Sequence, residues 1–142
     1  MTEKIFQKKL VKYWLPPLAW AGVIFLFSTR PVTPASRIYW QDFIVKKTAH
    51  IIEYGVFTIL LYRGFTNSGV SRKKAAAISI ILAVLYGLTD ELHQSFTPGR
   101  EPRLRDVGFD TIGALLAIHI VWKLLPKAPA KLKNLAKNLQ IN

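Results

Sequence analysis

Apolar residues in this chain are gathered in four long segments, and the stretches between them are polar and rich in charge. Each segment is close to the ~20 residues that an α-helix needs to cross the hydrocarbon core of a bilayer. The second and third segments reach that length only if the polar residues at their ends, such as His50 and Asp90, are helical as well. The pattern predicts four membrane-spanning helices at about 13–28, 47–65, 74–95 and 106–125.

The two ends of the chain have a different pattern, in which several lysines are interspersed with a few apolar residues. Residues 1–12 and 127–142 are predicted to be basic amphipathic termini that lie against anionic lipid headgroups. The chain of 142 residues is predicted to be one domain, 1–142, with an all-α fold: an integral membrane four-helix bundle. A soluble helical bundle is the alternative, and the long apolar segments with basic flanks argue against it.

The formal net charge of +12 is unevenly distributed along the chain. If the chain crosses the membrane four times, thirteen of the 20 Lys and Arg residues lie on the side of the two termini, and seven lie on the other side. The positive-inside rule then predicts that both termini are cytoplasmic. Since this topology already accounts for the basic residues, and no recognition motif accompanies them, we expect no nucleic-acid partner.

A cluster of polar residues is predicted where the second, third and fourth helices reach the extracytoplasmic surface. Four of the eight Asp and Glu residues fall at 90, 91, 106 and 110. Acidic residues are costly in a membrane, so such a cluster is usually retained for a reason. The candidate ligand-binding residues are Lys47, His50, Glu53, Tyr54, Asp90, Glu91, Gln94, Arg100, Arg105, Asp106 and Asp110.

The residues of this cluster leave three interpretations open. Its acids and nearby bases are equal in number, so they could form a closed ion-pair network that only holds the helices together. Its arginines could instead bind a phosphate or carboxylate. As a third alternative, His50 with Asp90 or Glu91 could serve as a catalytic acid/base pair. Binding is favoured over catalysis, and because the chain has no cysteine and no HExxH motif, we expect no metal site and no cofactor.

The order and spacing of these residues resemble the VanZ-like family of small bacterial membrane proteins. The resemblance extends across about residues 14–125. At Asp110 the family usually has an asparagine. The resemblance rests on Lys47-x-x-His50-x-x-x-Tyr54, on Asp90-Glu91-x-x-Gln94-x-Phe96-x-Pro98-Gly99-Arg100, and on Asp106-x-x-x-Asp110-x-x-Gly113.

The resemblance implies a multi-pass protein of the bacterial cytoplasmic membrane, with its polar cluster on the extracytoplasmic side. The family takes its name from an accessory protein of teicoplanin-type glycopeptide resistance, an antibiotic-resistance role that the resemblance alone does not assign to this chain. We expect a pocket that recognises an anionic lipid headgroup or a lipid-linked cell-wall precursor, with membrane lipids as partners. An outer-leaflet hydrolase or transferase and a structural envelope scaffold are the alternatives. No GxxxG motif specifies a homo-oligomer, and the oligomeric state stays open.

Overall fold

The computed structural model describes residues 2–30, 37–97 and 102–141. Within these ranges the chain is all-helical and has no β-strand, which confirms the predicted all-α class. Between α4 and α5 lie a π-helical segment and a 3-10 turn, Ile120–Leu124 and Leu125–Lys127. The α-helices are α1 (Thr2–Ser28), α2 (Tyr39–Asn67), α3 (Arg72–Gln94), α4 (Leu104–His119) and α5 (Ala130–Asn138).

The first two helices are longer than the sequence pattern predicted. α1 joins the basic N-terminal residues and the first apolar segment in one continuous helix, which includes Pro16 and Pro17. α2 begins at Tyr39 rather than at 47. Its first two turns are polar enough to escape a hydropathy pattern, and an ion pair between Asp42 Oδ2 and Lys46 Nζ (2.7 Å, one turn apart) supports them.

Three helical segments are long and apolar enough to cross a membrane: Lys9–Ser28, Arg72–Gln94 and Leu104–Lys127. α2 is not among them because His50, Glu53 and other charged residues interrupt its apolar sequence. The three segments identify a membrane-type protein, while a crossing by α2 stays a prediction.

Large apolar side chains cover the outer surfaces of these three segments. Exposed contiguous apolar surface of this kind is typical of contact with lipid rather than with water. Examples more than two-fifths exposed are Leu18, Leu26, Ile81, Leu85 and Leu115.

α2 is the most extensively packed helix, and it contacts α4 most, then α3 and α1. It comes closest to α4 where Gly113 faces Ile51, and a Cβ atom at Gly113 would collide with the Ile51 carbonyl oxygen. Gly55 lies next to the same contact, where its Cβ position is 3.4 Å from the Gly113 carbonyl oxygen. Small residues therefore bring the backbones of α2 and α4 together, as is common between membrane helices.

The two ends of the bundle bring together different elements. At one end, the Arg63 guanidinium of α2 donates hydrogen bonds to the carbonyl oxygens of Lys12 (3.2 Å) and Leu139 (2.6 Å). These bonds join α1, α2 and the chain just after α5. At the opposite end, which we call the polar end, the beginning of α2, the end of α3 and the beginning of α4 meet, as Lys47 and Asp106 illustrate.

Candidate functional site

A buried ion pair joins α2 to α4 at the polar end. Lys47 Nζ lies 2.6 Å from Asp106 Oδ1, and both residues are buried. The Lys47 ammonium also lies 5.6 Å from the ring centroid of Phe43 and 5.8 Å from that of Phe109. Cation–π attraction therefore adds to the ion pair. The two phenylalanines were not among the predicted site residues, although each lies about one helical turn from a predicted one.

A second polar pair connects the same helices one turn deeper. His50 Nδ1 lies 2.8 Å from Asp110 Oδ1, and the Asp110 side chain is only 1% exposed. The contact fixes the orientation of the imidazole, so that its other nitrogen, Nε2, can exchange a proton with a ligand. A histidine oriented by a carboxylate is suited to general acid/base chemistry.

α3 makes room for the Asp110 carboxylate at Gly87. A Cβ atom at Gly87 would lie 2.9 Å from Asp110 Oδ2 and 3.5 Å from Cε1 of Tyr54. Tyr54 is fully buried, and its hydroxyl group has no hydrogen-bond partner among the described residues. Gly87 was not among the site residues predicted from the sequence. The signal available there is its position, one turn before the acids of α3.

The last turn of α3 carries two adjacent buried carboxylates. Asp90 Oδ2 accepts a hydrogen bond from the amide of Gln94 (2.9 Å). Glu91 Oε2 accepts one from the backbone N–H of Arg103 (2.6 Å), which fastens the chain before α4 to the end of α3. The other oxygen, Glu91 Oε1, is buried and has no hydrogen-bond partner within the described part of the chain.

Arginine is present at the outer margin of the cluster. Arg105 is exposed, its Nε lies 3.9 Å from Asp106 Oδ1, and its guanidinium carbon lies 4.9 Å from the ring centroid of Phe43. The predicted ligand-binding residue Arg100 lies outside the described residues.

Glu53 follows His50 by about one turn of α2. The main-chain oxygen of this half-buried residue accepts a hydrogen bond from the indole N–H of Trp20 (2.9 Å), which locates it beside α1. The sequence grouped Glu53 with His50 because a spacing of three residues places both along one side of a helix. The His50 side chain itself contacts Asp110 on α4.

The chemistry available at the polar end is therefore that of carboxylates, an imidazole and an ammonium, with the exposed guanidinium of Arg105 at its margin. We call Lys47, His50, Asp90, Glu91, Asp106 and Asp110 the polar cluster. Within the ranges that the structure covers, no group of three or more His, Asp and Glu side chains is arranged to hold a metal ion.

Three span-capable apolar helices, packed with a fourth around a buried polar cluster, define a multi-helix protein of the membrane type. The chain belongs to the VanZ/LLP1 family, whose model matches residues 5–126. The match includes α2, α3, α4 and all of the polar cluster. Comparisons with curated proteins and with solved structures give no match.

Proposed function

We propose that this protein crosses the bacterial cytoplasmic membrane four times and binds an anionic lipid headgroup or lipid-linked cell-wall precursor at its polar end, on the extracytoplasmic side. The packing of α2 supports the fourth crossing. Because α2 contacts three other helices, its Lys47 and His50 side chains are paired inside the protein and need not face lipid.

The observation that carries the proposal is the ordered set of basic side chains at this end. The Lys47 ammonium and the Arg105 guanidinium both lie over the ring of Phe43, and both lie near the same oxygen of Asp106. Arg105 remains exposed. A guanidinium that is already ordered loses less conformational freedom when it binds a phosphate, and its donors match two phosphate oxygens.

The direct test is native mass spectrometry of the protein extracted in mild detergent. We expect an anionic phospholipid or lipid-linked phosphate to accompany the wild type and to be lost from Arg105→Ala. Lys73→Ala is the matched control, because this exposed lysine lies at the opposite end of the bundle and its loss removes the same charge. Equal lipid adducts in all three proteins would refute the proposal and favour a scaffold.

The second candidate function is that of an outer-leaflet hydrolase or transferase acting on a lipid phosphate or glycan. It is favoured by the 2.8 Å contact between His50 and Asp110, which orients the imidazole as in many acid/base pairs. Purified protein should then form a product from a polyprenyl or phosphatidyl substrate, and His50→Gln should abolish it. No product from the folded wild type would leave binding as the function.

A further inference from the structure

The polar cluster contains more carboxylates than cations. Asp106 is paired with the ammonium of Lys47, and Asp110 is paired with the imidazole of His50. Asp90 and Glu91 have only neutral donors, an amide and a backbone N–H, among the described residues. The cluster therefore contains two buried acids that no basic side chain of the described chain neutralises.

The position of these two acids makes their negative charge energetically unfavourable. They lie in the last turn of α3, which ends at Gln94, where the helix dipole disfavours an anion and favours a cation. Burial also removes the water that stabilises a carboxylate. Asp90 and Glu91 are nevertheless buried, at 7% and 4% exposed. A bound cation relieves both of these unfavourable contributions.

Among the buried polar atoms that have no hydrogen-bond partner within the described residues, two belong to Glu91 and Tyr54. Glu91 Oε1 is one, and its direction is set because the other oxygen of the same carboxylate is held by the backbone of Arg103. The Tyr54 hydroxyl is the other, on a ring that packs beside Gly87 and Asp110. A primary ammonium has three N–H donors, so it can bond to more than one acceptor oxygen.

We propose that the ligand of the polar end carries a primary ammonium group close to its phosphate, and that Glu91 and Asp90 bind this ammonium while Arg105 binds the phosphate. The inference rests on the proposed binding function and narrows its ligand to a class. Two sources have this chemistry: an aminophospholipid, and a polyprenyl phosphate that carries an amino sugar. A ligand with phosphate alone would meet two buried carboxylates that no basic side chain of the described residues neutralises.

The experiment compares two matched ligand pairs with the full-length protein by native mass spectrometry. The first pair is phosphatidylserine and phosphatidylglycerol, which have the same net charge, and the second is a polyprenyl-phosphate amino sugar and its N-acetylated form. In one of the two pairs, we expect the wild type to bind the ligand with the primary amine about tenfold more tightly than the ligand without it. A charge-assisted hydrogen bond allows a difference of this size. Glu91→Gln should remove this preference, and Tyr54→Phe should reduce it.

Asp42→Asn is the control, because it removes a carboxylate from the same end of the bundle but outside the polar cluster, and it should keep the preference. Preference in the first pair identifies the phospholipid source, and preference in the second identifies the lipid-linked sugar. If amine and non-amine ligands bind the wild type equally in both pairs, yet Arg105→Ala loses them, the ammonium inference is wrong and anion binding stands. If no ligand binds, both proposals fail.

Discussion

Gly113 is the residue on which the contact between α2 and α4 most depends. A Cβ atom there would lie only 3.0 Å from the Cα atom of Ile51 and would collide with the carbonyl oxygen of that residue. Backbone atoms cannot move aside as a flexible side chain can. The alignment of Lys47 with Asp106 and of His50 with Asp110 requires this close approach, because both pairs bridge the same two helices.

Gly113→Ala should therefore destabilise the protein, by about 1–3 kcal/mol, the usual effect of overpacking. Gly108→Ala is the matched control, since this glycine lies on the same helix and a Cβ atom there meets nothing within 4 Å. The measurement is thermal unfolding of both variants in detergent. Equal melting temperatures for the two variants would show that the packing of α2 against α4 does not depend on this contact.

The Lys47–Asp106 pair allows a second test at a single residue. Lys47→Ala should lower the free energy of unfolding by about 3–5 kcal/mol, because it leaves the buried Asp106 carboxylate without its cation. Lys46→Ala, one residue earlier, breaks only the pair with Asp42 within α2 and should change stability by about 0.3–0.5 kcal/mol. Chemical unfolding in detergent measures the free energy of unfolding of each variant and so distinguishes the two expected losses. Adding Asp106→Asn to Lys47→Ala should recover part of the loss.

At the scale of elements, α5 is a basic helix whose apolar side chains are mostly exposed, namely Leu132 and Leu135 with the following Leu139. α5 is held through its C-terminal end. Arg63 Nε donates to the Leu139 carbonyl oxygen, and Asn67 Nδ2 donates to that of Gln140 (3.1 Å). The rest of the helix presents leucines and lysines outward, which is the composition expected of a helix at a lipid interface.

Arg63→Ala should loosen α5 from the bundle without unfolding it, because the variant removes bonds to both Leu139 and Lys12. Hydrogen exchange followed by mass spectrometry should then show faster exchange across Ala130–Asn138 than in the wild type. Lys133→Ala is the control, since this exposed lysine lies on α5 itself and should leave the exchange rate unchanged. Unaltered exchange in Arg63→Ala would contradict the role assigned to Arg63.

For the whole molecule, the principal question is how the bundle is oriented in the membrane. The basic residues at the beginning of α1, between α2 and α3, and after α4 collect at the end opposite the polar cluster. The positive-inside rule predicts that this end is cytoplasmic. A bundle in this orientation exposes the polar cluster to ligands of the outer leaflet.

The absence of cysteine makes this orientation directly measurable. In intact cells, Ser95→Cys at the polar end should react with a membrane-impermeant maleimide. Ser71→Cys and Asn134→Cys, at the other end, should react only after the membrane is permeabilised. All three native residues are exposed in the structure. Reaction of Ser71→Cys in intact cells, without reaction of Ser95→Cys, would show that the orientation is the reverse of the proposed one.

Pairings between helices were only partly predictable. The sequence indicated that Lys47, His50, Asp106 and Asp110 gather at one end, because apolar length locates the end of each helix. It did not indicate that Lys47 pairs with Asp106 and His50 with Asp110, nor that Glu53 lies beside α1. Those outcomes depend on how far each helix is rotated about its own axis, a property to which residues distant in the sequence contribute.

The sequence by itself determined the all-α class, the family, three span-capable segments and the uneven distribution of charge, because these follow from composition and spacing along the chain. Only the tertiary structure decided the partners within the polar cluster. Gly87 and Gly113 set the distances between helices, and the backbone of Arg103 holds Glu91. Contacts between helices depend on packing in three dimensions, and the period of a single helix does not contain that information.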